Sequence, residues 1–140
     1  SSLKNINGKA FISVNKALVT QSSSAVPIIP LYISILYKVM KDKHLHEGCI
    51  EQMYRLFSER LYLDKTPTDS QGRIRIDDFE MRDDIQKKML ELWDKASTES
   101  IESIADLKGY RTDAYNLFGF NFDEIDYEKE VDEMVNILSI

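Results

Sequence analysis

The chain has one cysteine, Cys49, in 140 residues, so no disulfide can form within it. That cysteine usage, with no signal-peptide pattern, sets the expectation of a reducing, cytoplasmic setting. The five glycines are scattered and form neither a Gly-x-Gly-x-x-Gly turn nor a phosphate-binding P-loop. Basic residues are outnumbered, with a net charge of −6, and no Lys/Arg cluster is dense enough to follow a phosphate backbone, which excludes a nucleic-acid surface. The longest apolar run, Ala25–Tyr37, is too short to span a bilayer and contains two of the three prolines. His44 and His46 stand near Glu47 and Cys49, but the spacing matches no zinc signature and reads as a helix-break loop with surface histidines. There is no Ser–His–acid pattern, so motif chemistry alone does not make a complete enzyme.

What is present is concentrated in Ala10–Lys43. Phe11-Ile12-Ser13-Val14 and Ala17-Leu18-Val19 suit a strand covered on both faces. Thr20–Ser24 is a hydroxyl-rich turn with no apolar residue, and the carboxyl end of a buried strand is where open α/β sheets hold ligands. Pro27 and Pro30 fit the first turn of a helix running to about Lys41, where a missing N–H costs little. That helix is apolar almost all round. Ile29, Ile33, Leu36, Tyr37 and Met40 form one stripe, Ile28, Leu31, Tyr32, Ile35 and Val39 cover most of the rest, and only Ser34, Lys38 and Lys41 are polar. Such a helix needs covering on nearly every side, as a central core helix or as one whose edge lines an apolar pocket.

Further along, Ile50, Met53, Tyr54, Phe57 and Leu61 read as the buried face of an amphipathic helix, with Glu51, Gln52, Arg55, Ser58 and Glu59 opposite. Asp64–Gly72 is a loop, and Arg73–Asp77 alternates as a short edge strand. Ile85, Met89, Leu92, Trp93 and Ala96 mark another helix. Thr98 is expected to cap a short helix through Leu107, ended by Gly109. Tyr110, Tyr115, Phe118, Phe120 and Phe122 form an aromatic knot expected to pack inward. Val131, Met134, Val135 and Leu138 suit a last amphipathic helix. A chain of this length makes one domain and can bury roughly two-thirds of its unfolded surface. Yet it opens with a polar stretch and drops at once into an interior-type strand with one weak strand partner, and so reads as the end of something longer.

Several runs in order carry a family resemblance. They are Ser-Val-Asn-Lys-Ala-Leu-Val-Thr-Gln-Ser-Ser-Ser-Ala-Val-Pro-Ile-Ile-Pro-Leu-Tyr from Ser13, Tyr-Lys-Val-Met-Lys from Tyr37, His-Glu-Gly-Cys-Ile-Glu-Gln from His46, Arg-Ile-Arg-Ile-Asp-Asp-Phe-Glu from Arg73, Asp-Leu-Lys-Gly-Tyr-Arg from Asp106 and Ile-Asp-Tyr from Ile125. Together they resemble the C-terminal third of the trans-2-enoyl-CoA reductases, also known as V-type enoyl-acyl-carrier-protein reductases. The resemblance implies an α/β fold: the C-terminal part of an enlarged Rossmann fold of short-chain-dehydrogenase type, mostly helical within this segment with one core strand. It implies residues 10–20 as core strand and cofactor turn, 27–62 as pocket helices and 63–140 as a C-terminal helical cap.

The activity implied is NADH-dependent reduction of the C2=C3 double bond of enoyl thioesters in fatty-acid synthesis. The family's catalytic Tyr and its companion Lys match nothing here. Tyr32 and Lys41 share that spacing, but on the apolar helix and in another context. The implied catalytic set therefore lies upstream, and this chain alone is expected to be inactive. By matching position, Leu18, Val19, Thr20 and Ser23 would contact the nicotinamide end of NADH, and Ile29, Ile33 and Tyr37 would line the acyl pocket. Plain core packing is the other reading of these last three. No metal is implied. The implied partners are an enoyl thioester of CoA or acyl carrier protein and the N-terminal remainder of the same enzyme, with no nucleic acid and no membrane span. The competing reading is a non-enzymatic helical binding module with a degenerate calcium loop at Pro67–Asp78. There Gly72, Ile74 and Asp78 fall at EF-hand positions, but Pro67 stands where a carboxylate is required.

Overall fold

The apolar stretch after Pro27 becomes α2 (Ile28–Asp42), the helix about which the other elements are arranged. Its prolines sit where the chain enters the helix, so no interior hydrogen bond is lost. Ile33, Ile35, Leu36, Tyr37, Val39 and Met40 are all buried. The helix closes through His44, which takes the left-handed conformation at φ 56°, while the Leu45 amide bonds the Met40 carbonyl at 2.8 Å. The structure, a computed structural model, describes residues 9–120.

Ahead of α2 lie β1 (Ile12–Val14) and a one-turn helix, α1 (Gln21–Ala25). After it come α3 (Cys49–Leu56), continued as a π-helical turn over Phe57–Leu61, then β2 (Arg73–Arg75), α4 (Asp83–Trp93), α5 (Ile101–Ile104) and α6 (Leu107–Leu117). β1 and β2 pair in parallel, with Ile12 opposite Arg73, Ser13 opposite Ile74 and Val14 opposite Arg75. The ladder extends past β2 because the Val14 carbonyl accepts from both Ile76 and Asp77. One apolar core joins Ile35, Leu36, Val39 and Met40 of α2 to Ile85 and Met89 of α4 and to Ile104 and Ala105. A smaller one joins Leu56, Ile74 and Ile76.

The pattern of the sequence and the structure part company at six places, the first being the helix expected from Thr98 to Leu107, which is only Ile101–Ile104 with Ser100 at its cap position. The hydroxyl-rich turn is a helix, because Thr20 and Ser23 form a reciprocal cap: each side chain bonds the other's amide. The strand is not covered on both faces by the described residues, since Ile12 is 67% exposed and Phe11 is also exposed. α3 is turned over. Its apolar residues Ile50 and Tyr54 are 77% and 74% exposed, while Gln52 and Arg55 are buried. Gly109 does not end a helix but lies in the first turn of α6, where Asp106 is the cap and accepts from the Gly109 amide. A Cβ there would meet the Asp106 carboxylate and the Lys41 amine, so a side chain at this position would push that ion pair aside. Finally, Tyr115, Phe118 and Phe120 of the aromatic knot are about half exposed, because α6 turns Asp113 rather than these rings toward α2. Phe122, Ile125–Tyr127 and the helix expected through Leu138 lie outside the described residues.

Candidate functional site

The turn at Leu18–Thr20 is held from both sides before it reaches α1. The Lys16 amide donates to the Gln52 side-chain oxygen at 3.1 Å, and the Ala17 amide donates to a Glu80 carboxylate oxygen at 2.7 Å. Just beyond, Leu18 and Val19 line a cavity of about 550 Å³ with Tyr37, Gly48, Cys49, Ile50, Glu51, Asp113, Asn116 and Leu117. The Leu18 amide and carbonyl make no hydrogen bond with any other described residue. The Thr20 side-chain oxygen accepts from the Ser23 amide, which leaves its own O–H free to donate. The Ser23 hydroxyl accepts from the Thr20 amide and donates its proton to the Thr20 carbonyl.

Tyr37 is the hub of the site. Its hydroxyl donates to Asp113 of α6 at 2.7 Å. Burial first, and then the bond to Asp113, raise the phenol's pKa above its ordinary value, so Tyr37 stays protonated at neutral pH. The Lys16 and Lys41 amines lie 5.1 and 5.5 Å from the ring centroid, and the His46 ring meets it edge-on at 4.4 Å. Lys16 is buried, with its amine bonded to the Ala17 carbonyl, and burial lowers its pKa from 10.5 to about 8 against the pull of Glu80, Glu47, Asp113 and Glu51. His46 is lowered as well, by burial first and then by Lys16 and Lys41, and its Nδ1 is buried without a partner among the described residues.

The structure therefore brings Leu18, Val19 and Tyr37 to one cavity. Thr20 and Ser23 are not in its lining and instead form the cap of α1, and Tyr110 of α6 reaches the neighbouring Ser24 at 3.2 Å. Ile29 and Ile33 share the stripe of Tyr37 on α2 but do not line that cavity. Ile33 is fully buried and Ile29 partly so. Sequence reasoning missed Lys16, Gln52, Glu80 and Asp113. Only Lys16 left a signal, as a lysine set between the apolar Val14 and Ala17-Leu18-Val19.

In the loop at Pro67–Asp78 the Asp69 carboxylate is already engaged within the loop. Asp69 is bonded by the amides of Arg73 and Gln71 and by the Arg73 side chain, which together hold its pKa at about 2. Among the described residues no group of three or more His, Cys, Asp or Glu side chains could hold a metal. No described helix is long and apolar enough to cross a membrane.

Two family models match successive stretches of the chain: a trans-2-enoyl-CoA reductase catalytic region over residues 1–62 and an enoyl reductase FAD binding domain over residues 68–131. The enoyl-acyl-carrier-protein reductase (NADH) of Flavobacterium psychrophilum is 59% identical over 140 residues, covering 99% of this chain and 35% of its own length. A Clostridium trans-2-enoyl-CoA reductase in complex with NADH superimposes with a TM-score of 0.85 at 46% identity, covering 95% of this chain and 34% of that one. The Treponema denticola trans-2-enoyl-CoA reductase in complex with NAD gives a TM-score of 0.81 at 49% identity, covering 94% of this chain and 34% of that one.

This chain belongs to the trans-2-enoyl-CoA reductase family. It spans about a third of the length of the relatives it matches. Its fold is the C-terminal part of the enlarged Rossmann-like fold of those reductases, and the helical calcium module is not favoured.

In the stretch that the second model matches, Arg73 and Arg75 are not available to a flavin diphosphate. A flavin needs a flat apolar slot, and its diphosphate needs free backbone amides or cations. From residue 68 to 120, Arg73 and Arg75 are already paired with Asp69 and Asp77, and the space against α6 is walled by Glu102, Asp106, Lys108 and Arg111. The turn at Leu18–Thr20 does suit a nicotinamide. The Leu18 amide and carbonyl and the Thr20 O–H, without partners among the described residues, are the donor and acceptor types a carboxamide requires.

Proposed function

We propose that this chain is the part of an NADH-dependent enoyl-thioester reductase that holds the nicotinamide end of the cofactor and one wall of the acyl pocket. The observation that carries the reading is the shared cavity: Leu18, Val19 and Tyr37 line one space. NADH would supply hydride to the β-carbon of a trans-2-enoyl thioester of CoA or acyl carrier protein. The chain's own part is binding and orientation. Leu18, Val19 and Thr20 hold the carboxamide, with Ser23 fixing the turn through its cap. Tyr37 presents the wall of that cavity to the acyl chain and excludes water, while Ile33 and Ile29, on the same stripe but outside the cavity lining, would back that wall. The proton donor belongs to the remainder of the parent enzyme, N-terminal to this segment. That remainder is also the partner that would cover the outward apolar face of α3 and the open edge of β1. The parent works in the cytoplasm, in keeping with a single unpaired cysteine.

The test compares the full-length enzyme with the 140-residue chain, following NADH absorbance with a trans-2-enoyl-CoA. Turnover is expected from the full-length protein and none from the chain. A full-length protein that fails to oxidise NADH sinks the activity. Robust oxidation by the pure chain sinks the division of labour.

A further inference from the structure

Glu80 is a buried carboxylate remote in sequence from everything it touches. One oxygen accepts from the Ala17 amide at 2.7 Å, and the other accepts from the Tyr32 hydroxyl of α2 at 2.6 Å. Its own carbonyl is pinned by the Gln86 side chain of α4 at 2.8 Å. No cation pairs with it directly among the described residues, and Lys16, whose charge Glu80 favours, spends its amine on the Ala17 carbonyl. A buried carboxylate with two charge-assisted bonds is short, directional and hard to stretch. Ala17 immediately precedes Leu18, so Glu80 sets where the turn begins. Tyr32 lies one residue before Ile33 on the pocket helix, so the same group sets how far that helix stands from the turn. Gln52 bonds the amide of Lys16, one residue earlier, but reaches no part of α2's wall.

We infer that Glu80 is a positioning residue that locks the Leu18–Thr20 turn to the α2 wall and thereby fixes the nicotinamide against the acyl slot. The inference rests on the reading of that turn as the nicotinamide contact. Glu80 touches neither cofactor nor substrate. It acts through two backbone-length levers, one to Ala17 and one to Tyr32. Removing it frees the turn in the unliganded enzyme, so cofactor binding must then order it. Such an effect appears mainly in the KM for NADH and less in kcat.

The experiment uses the full-length enzyme carrying Glu80→Ala, Glu80→Gln or Tyr32→Phe, with NADH and enoyl-CoA varied independently and thermal melting measured alongside. Glu80→Ala is expected to raise the KM for NADH by about tenfold, with kcat falling by less than about threefold. Glu80→Gln keeps an oxygen for the Ala17 amide and should recover most of the loss. Tyr32→Phe leaves the Ala17 bond in place and should move the NADH KM by about threefold or less. An Ala variant with an unchanged KM for NADH and only a lower melting temperature overturns the inference, as does a Gln variant no better than Ala. Absence of turnover in the unsubstituted full-length enzyme is a separate result, which removes the functional reading itself.

Discussion

Helices α2 and α3 were both written with apolar residues at helical spacing, and the fold treats them in opposite ways. α2 is apolar nearly all round and is buried nearly all round. α3 has a clear amphipathic pattern, yet it points its polar face inward. Gln52 bonds Glu47, the Lys16 amide and the Ile76 carbonyl, and Arg55 bonds Glu47, Asp78 and the same carbonyl while its guanidinium lies 4.2 Å from the centroid of the Phe79 ring. The lesson is about which force sets orientation. For α2, area decides, because no way of turning the helix exposes less than a large apolar patch. For α3, a set of charged and amide groups finds partners on the β2 side and outweighs the apolar stripe, which is left facing away from the described residues.

The comparison breaks first at the centres of the two helices. Leu36→Ala, in the core shared with α4, should cost about 3–4 kcal/mol, by lost transfer energy plus the cavity it leaves. Arg55→Met should cost about 3 kcal/mol, because it leaves Glu47 and the Ile76 carbonyl with charge and lone pairs facing a methyl group. Chemical denaturation of the full-length protein measures both. A neutral Arg55→Met would show that the inward polar face of α3 does not determine its orientation.

Much of the architecture was legible in advance, for physical reasons that can be named. α2 ran within a residue or two of its expected limits because its entry prolines and apolar length leave no alternative packing. Arg73–Asp77 was readable as extended because its side chains alternate. The turn residues Leu18 and Val19 were reached through the family resemblance, and the structure places them beside Tyr37. What stayed hidden depends on partners far off in sequence. Nothing local tells that Gln52 will receive the Lys16 amide, or that Glu80 will receive that of Ala17. Periodicity marks a face as distinct, but which way that face turns is settled by the surface opposite it. Gly109 misled for the same reason. Its lack of a side chain serves the Lys41–Asp106 ion pair, not a helix end.

A middle-sized effect tests the floor beneath α2, where Lys16 is buried against the Tyr37 ring with Glu80, Glu47, Asp113 and Glu51 around it and His46 and Lys41 as further cations. Its pKa of about 8 lies below the 10.5 of an exposed lysine, so the unfolded chain binds the extra proton between those two values. Stability contributed by this group therefore rises as pH increases from about 8 to 10.5 and is lowest below 8. Charging the amine in place costs about 3 kcal/mol, while removing it leaves the Ala17 carbonyl without its donor, at about 1–2 kcal/mol. Lys16→Met should accordingly stabilise the protein at pH 7 by about 1–2 kcal/mol and remove its share of the alkaline rise. Melting curves across that pH range decide it. A Met variant with the same alkaline slope as the parent sequence would show that Lys16 is not the group that titrates.

The smallest effect is the most pointed, because it should change with context. In the 140-residue chain, Ile50 and Tyr54 stand largely in solvent, so Ile50→Ser and Tyr54→Ser should each shift stability by no more than about 0.5 kcal/mol. In the full-length enzyme the proposed N-terminal remainder covers that face, and each replacement should then cost about 2 kcal/mol, the worth of one buried apolar side chain. The same pair of variants, measured in both chains, separates the two faces of α3. Equal, small effects in both would leave the apolar face uncovered in the parent and remove that surface from the proposed contact. A large effect in the short chain alone would mean that α3 there buries its apolar face after all, and that the Gln52–Arg55 network does not set its orientation.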